Sequence, residues 1–167
     1  MHEDSARERV PKIYRSEYTL EPFRSCLVCD RALEGASLHV VEKVMRQGEA
    51  VLEMALCDRC AEALVREFSE ESREVLTRIQ LEWIAGADPR AERCAGCRKP
   101  RDHAGSFVIG GTFLSGFVLV REIAVCGACE EAVEPRLSRK TREAYGRFVE
   151  THFPGVPDYV DLPLLVS

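Results

Sequence analysis

The chain has 167 residues, of which 46% are hydrophobic and 31% charged, with a formal net charge of −5. These values exclude a disordered, collagen-like or membrane-embedded chain and leave room for one domain or two small ones. The longest apolar stretch, near residues 113–120, is too short to span a bilayer and is interrupted by Ser115 and Gly116.

The N-terminal arm, residues 1–19, is charged and has no apolar segment of the signal-peptide type, so a cytoplasmic protein is expected. Eight cysteines follow in four pairs of one spacing: Cys26 and Cys29, Cys57 and Cys60, Cys94 and Cys97, Cys126 and Cys129. In a reducing compartment such pairs bind metal or do redox work more often than they form structural disulfides. The first and third pairs are offset by 68 residues, the second and fourth by 69. The match extends beyond cysteine: Ala63, Ser69, Arg73, Glu74 and Arg78 align with Ala132, Ser138, Arg142, Glu143 and Arg147. The chain therefore reads as two copies of one zinc-binding unit, 20–88 and 89–153, with an apolar, proline-punctuated tail at 154–167.

Each copy has the same predicted order. The first cysteine pair lies in an irregular turn. A hairpin follows, 37–45 with 50–56 in the first copy and 106–109 with 117–125 in the second, where residues 110–116 must contain a turn or bulge. The second pair opens a helix. Pro135 ends that helix early in the second copy, and the same break is expected in the first. Ser69 and Ser138 are the expected N-caps of a second helix, which runs to about Ala85 before Gly86 in the first copy and ends before Pro154 in the second. The fold class is α+β.

Two thiolates two residues apart reach one ion from a tight turn, and two such pairs supply the four soft, charged ligands that tetrahedral zinc prefers. Placing the second pair at a helix start helps to ionise the thiols. The order of turn pair, hairpin and helix pair resembles the treble-clef zinc fingers, a superfamily close to the zinc ribbons, in two tandem copies. The resemblance implies two Zn²⁺ ions, one per unit, with Cys26, Cys29, Cys57 and Cys60 holding one and Cys94, Cys97, Cys126 and Cys129 the other. Asp30 and Arg98 stand where many zinc knuckles carry glycine. Cross-braced ligation, iron and disulfide use are the alternatives for the same sulfurs.

A saturated four-cysteine site has no open position for catalysis, and no Gly-rich phosphate loop, nucleophile elbow or catalytic constellation is present, so a non-enzymatic protein is expected. Asn is absent from the chain, which counts against an HNH-type nuclease using His39 or His103; both read as surface or hydrogen-bonded histidines. Arg93, Arg98, Lys99 and Arg101, with Arg139, Lys140 and Arg142, are candidate contacts to an anion or nucleic acid. Against that role, four thiolates on a divalent cation leave each site at −2, and two sites take the net charge from −5 to −9. The leading expectation is a protein–protein adaptor with a protein partner or a second copy of itself. The alternatives are a nucleic-acid-binding regulator and a thiol-redox or zinc-responsive protein. Residues 17–23 and the tail are the segments expected to pack on the chain itself or to dock on a partner.

Overall fold

The computed structural model describes residues 2–155. Its elements are α1 (His2–Arg9), β1 (Leu38–Arg46), β2 (Glu49–Cys57), α2 (Asp58–Arg66), α3 (Glu70–Gly86), β3 (Ser106–Leu114), β4 (Val118–Cys126), α4 (Gly127–Glu131) and α5 (Arg139–His152), with short 3₁₀ turns at Lys12–Tyr14, Arg101–His103 and Glu134–Arg136.

Both hairpins form where the residue pattern places them. The first closes on Gln47 and Gly48, both at positive φ (51° and 82°), the pairing that a two-residue hairpin turn demands. In the second, Gly110 and Gly111 do not turn. They continue β3, the turn falls at 115–117, and the expected irregularity is a register shift between Thr112 and Phe113. The helix break is also present in both copies. Ser69 and Ser138 cap α3 and α5, accepting from the amides of Ser72 and Thr141.

The two hairpins do not stand apart. They join edge to edge into one antiparallel sheet of order β2-β1-β3-β4. Glu42 pairs with Gly110 across the β1–β3 seam, and these residues occupy the same position in the two repeats. A local two-fold axis therefore passes between them. The helices obey the same axis. The Ser69 amide donates to Thr141 Oγ1 at 2.9 Å, and the Ser138 amide donates to Ser72 Oγ at 2.8 Å. The two cap hydroxyls, Ser69 Oγ and Ser138 Oγ, lie 2.8 Å apart. The cap residue of each helix thus has its own amide satisfied by a hydroxyl from the other repeat, and burial of Ser72 and Thr141 makes those bonds costly to lose.

From this clamp each second helix reaches the opposite repeat. The last turn of α3 abuts the second knuckle, where a Cβ on Gly86 would sit 2.7 Å from the Ala95 carbonyl oxygen. The α5 helix lies over the first repeat: Tyr145 meets Phe68 edge-on at 6.4 Å, and Phe153, just beyond the helix, packs on Val44, Leu52 and Val108. The repeats 20–88 and 89–153 are therefore intertwined through their second helices.

The N-terminal arm breaks the symmetry. Ala6, Val10 and Tyr14 are buried on the sheet face opposite α5. Over the first repeat the arm meets the buried Lys43, whose ammonium donates to the Arg15 carbonyl and pairs with Glu17 at 3.1 Å and Glu53 at 3.6 Å. Over the second repeat the counterpart of Lys43 is Gly111, and the Tyr14 ring fills the space. A Cβ there would lie 2.9 Å from the ring. The Tyr14 hydroxyl donates to Glu122, the counterpart of Glu53, at 3.0 Å. One arm crossing two equivalent halves needs a side chain on one and none on the other. Gly111→Val should consequently lower the unfolding free energy by about 2–3 kcal/mol, as overpacking does where the neighbour is a fully buried ring. Urea titration checks it, and a loss below about 0.5 kcal/mol would mean that Tyr14 yields freely.

Candidate metal centres

Each knuckle is built on the edge of the sheet. The Leu27 amide donates to the Ala55 carbonyl at 2.9 Å on β2, and the Ala95 amide donates to the Ala124 carbonyl at 2.8 Å on β4. The chain then doubles back: the Asp30 amide donates to the Cys26 carbonyl and the Arg98 amide to the Cys94 carbonyl. Asp30 and Arg98 take left-handed φ values of 61° and 67°. The knuckle conformation that usually calls for glycine is thus retained with other residues at a steric cost.

The second pair of each repeat comes from the strand-to-helix junction. Cys57 ends β2 and precedes α2, with Cys60 in that helix's first turn. Cys126 ends β4 and precedes α4, with Cys129 in its first turn. The four sulfurs of Cys26, Cys29, Cys57 and Cys60 lie within 4.8 Å of one another, and so do those of Cys94, Cys97, Cys126 and Cys129. Each tetrad takes all its members from one repeat. Cys29 Sγ stands 3.8 Å from Cys57 Sγ, and Cys97 Sγ 3.7 Å from Cys126 Sγ. A tetrahedron with metal–sulfur bonds of about 2.3 Å has edges of roughly 3.8 Å. The spacing fits a tetrahedral ion and is far longer than a disulfide bond of about 2.05 Å.

Backbone amides ready one sulfur in each tetrad. Cys57 N donates to Cys26 Sγ at 3.4 Å, and Cys126 N to Cys94 Sγ at 3.2 Å. Burial pushes both thiols up, but the surrounding amide donors outweigh it and bring Cys26 and Cys94 down to about 7. The helix thiols Cys60 and Cys129 are pushed up, by burial first and then by the neighbouring thiols. One thiolate per site is therefore favoured by the fold alone. Four together need a divalent cation, since thiolate ligation releases the remaining protons.

The basic candidates do not form one surface. Arg93, Arg98, Lys99 and Arg101 belong to the second knuckle and the turn after it. Arg93 donates to the Arg98 carbonyl, while Arg101 donates to the Ala91 carbonyl and lies over the Phe107 ring at 5.6 Å. Arg139, Lys140 and Arg142 lie at the start of α5, beside the serine clamp, where Arg139 pairs with Glu143 at 2.8 Å.

His103 is exposed, as expected, in the 3₁₀ turn before β3. His39 is different: it is 1% exposed, stacks on Phe113 at 5.1 Å, and its Nδ1 has no hydrogen-bond partner. Burial pushes its imidazolium pKa down to about 4. Its counterpart in the second repeat is Phe107, an aromatic residue without a polar atom. The native state holds His39 neutral while the unfolded chain takes up a proton near pH 6.5, so stability falls as pH drops from 6.5 towards 4. His39→Phe should remove a pH-dependent loss on the order of 3 kcal/mol across that window. Denaturant melts of both proteins at pH 7 and pH 5 give the comparison, and parallel losses in the two would exclude the effect.

A groove of about 560 Å³ runs between α2 and α3 beside Tyr145 and is lined by Leu38, Ala61, Val65, Phe68 and Leu76, with Arg66 and Arg73 also along it. Among the described residues no helix is long and apolar enough to cross a membrane. Comparison of the chain with protein families, with curated proteins and with solved structures finds no match.

Proposed function

We propose that each tetrad holds one structural Zn²⁺ and that the chain is a non-enzymatic, zinc-stabilised protein-binding module of tandem treble-clef type. The observation that carries the metal assignment is the pair of sulfur tetrads, whose 3.8 and 3.7 Å edges suit tetrahedral zinc–thiolate bonds. Four thiolates saturate the ion, which favours a structural role over Lewis-acid chemistry. The order of knuckle, hairpin and helix in each repeat supports the treble-clef reading.

The binding role draws on exposed apolar side chains at one place. Leu114, Val118 and Val120 cluster at the free end of the β3–β4 hairpin, beside the sheet edge formed by β4. Their first-repeat counterparts are Arg46, Glu49 and Val51, so this patch is a property of the second copy. An apolar strand edge of this kind suits a partner that adds a strand. Metal analysis with X-ray absorption tests the metal: two zincs per chain in a four-sulfur shell are expected, and another metal or a mixed oxygen shell would overturn the assignment.

Nucleic-acid binding is the weaker reading, because the basic residues are divided between two places in an acidic chain. Redox response draws on the exposure of Cys29 and Cys97. It requires that an oxidant such as peroxide, itself reduced to water, join two thiolates of a tetrad in a disulfide and release the ion.

A further inference from the structure

The joining of the repeats creates a cleft that neither repeat forms alone. The tip of the first hairpin rests on the loop before β3: the Gln47 amide donates to the Gly105 carbonyl at 3.0 Å, and Arg46 pairs in register with Ser106. A cleft of about 420 Å³ opens here. It is lined by Arg46 and Gln47 of the hairpin tip, Lys99 of the second knuckle, His103 of the 3₁₀ turn, Ser106 at the start of β3 and Gly127 at the start of α4. Among the described residues that line it none is acidic and none carries a benzene or indole ring. The side chains of Lys99, His103 and Ser106 form no hydrogen bond or ion pair with any described residue. Arg46, which lies opposite Glu49 in its hairpin, adds a fourth donor. The neighbouring Arg93 and Arg101, by contrast, are engaged with backbone carbonyls. The apolar tail, residues 156–167, lies outside the described residues and takes no part in this cleft.

We infer that this cleft binds a phosphate group, as inorganic phosphate or as a phosphate monoester, through Arg46, Lys99, His103 and Ser106. The duplicated chain supplies its own comparison. The first-repeat positions equivalent to Arg46, Lys99, His103 and Ser106 in the alignment are Leu114, Arg31, Gly35 and Leu38, so only one of the four donors has a basic counterpart. The position of Gly127 is taken there by Asp58, an acid. The fold therefore does not require this donor set, since the sister repeat forms without it. Gly127 also has a steric role: a Cβ on it would collide with Ser106 Oγ, so the glycine is what leaves room for the hydroxyl. Donors mounted on separate segments address several oxygens from different directions. That suits a phosphate monoester, with three terminal oxygens and up to two charges, whereas a planar carboxylate is satisfied by a single arginine fork. With no benzene or indole ring along the cleft, a nucleobase has little to stack on, which disfavours a nucleic-acid strand. Two features oppose an anion. The chain is acidic overall, but charge beyond about 8 Å is largely screened at physiological ionic strength. Cys126 also borders the cleft, and a metal-loaded tetrad behind it carries −2. Contacts at hydrogen-bond range have to outweigh that charge, so the expected affinity for phosphate alone is millimolar.

The test is a titration of the full, isotope-labelled chain with inorganic phosphate, followed amide by amide by NMR. The Gly105, Ser106 and Gly127 amides should shift saturably, and those of their counterparts Ser37, Leu38 and Asp58 should not. Lys99→Gln, at an exposed side chain, should weaken binding by about tenfold, the factor expected for losing one hydrogen bond to a charged group. Arg31→Gln, the equivalent change at the first knuckle, should leave binding unchanged. Glycerol phosphate and a phosphoserine peptide, titrated in the same way, distinguish a metabolite from a modified protein as the source of the group. Shifts that never saturate at the cleft, or equal weakening by Lys99→Gln and Arg31→Gln, would overturn the inference. So would single-stranded DNA that binds at these amides and is not displaced by phosphate. The inference rests neither on which metal the tetrad holds nor on the β4 edge, so a failure of either would be seen separately.

Discussion

Stripping the metal from both tetrads should unfold the chain rather than loosen it. Each knuckle is attached to its sheet edge by few backbone bonds, the Leu27–Ala55 and Ala95–Ala124 contacts among them. Metal–sulfur bonds at the tetrads would tie knuckle, strand end and helix start into one unit. A structural zinc site is worth on the order of 10–16 kcal/mol of apparent binding energy at neutral pH, against a total stability of about 5–15 kcal/mol for a domain. Losing two such sites exceeds what the shared core can supply, and four thiols per site remain packed together. Far-UV circular dichroism during titration with a strong chelator, with zinc release followed in parallel, should show ellipticity falling as metal leaves. Ellipticity retained after both ions are removed would show that the core stands without them. Acid should act in the same direction, since thiolate ligands compete with protons: affinity falls as pH falls, and unfolding at low pH should be shifted to higher pH by added chelator. Cys57→Ser and Cys126→Ser each remove one ligand. The joined sheet predicts that either substitution destabilises both repeats, because β1 and β3 share one seam.

The sequence made the tetrads legible because ligand spacing is a local property. The cysteine pairs, the turn at Gln47–Gly48 and the serine caps each depend on a few neighbouring residues, and repetition reads the cysteine pairs and the caps twice. The joining of the repeats was not legible, because it depends on which strand edges meet. Glu42 and Lys43 are charged residues of a hairpin strand, yet both are fully buried at the centre of a four-stranded sheet, Lys43 beneath the arm and Glu42 on the helix side. The turn or bulge expected within residues 110–116 is present, as a register shift between Thr112 and Phe113 and a turn that begins at Ser115, and Gly110 and Gly111 precede it. They are strand residues because one lies on the local two-fold axis opposite Glu42 and the other leaves room for the Tyr14 ring. His39 reads as a surface or hydrogen-bonded histidine, whereas its burial, its unpartnered Nδ1 and its stacking on Phe113 show that it occupies an aromatic position. None of these placements follows from a repeat taken alone, because the two units bury one another's surfaces. The intertwining also answers how repeats of this size remain folded: pairing buries the β1 and β3 edges and lets each helix cover a second sheet half, extending a core that a single repeat would leave open.

The same intertwining makes one residue of the first repeat a support of the second sulfur tetrad. Trp83, the only tryptophan, is 7% exposed on α3, and a Cβ placed on Gly96 would lie 3.5 Å from its Nε1 and 2.9 Å from Cys129 Sγ. The indole thus backs the second knuckle at the point where Gly96 faces the tetrad. Trp83→Ala should cost about 3–5 kcal/mol, as removal of a large buried aromatic does. Its effect should be directional. Zinc held by Cys94, Cys97, Cys126 and Cys129 should transfer to a chelator faster than in the parent protein, whereas zinc held by Cys26, Cys29, Cys57 and Cys60 should not, although Trp83 belongs to that repeat's own sequence. Chelator transfer under native conditions, with each departing ion assigned by which cysteines become alkylated, distinguishes the two sites. Trp83→Phe keeps most of the apolar contact and should restore much of the stability. Accelerated loss from both tetrads in equal measure would reduce Trp83 to a general core residue. Loss from the first tetrad alone would contradict the exchange of second helices between the repeats.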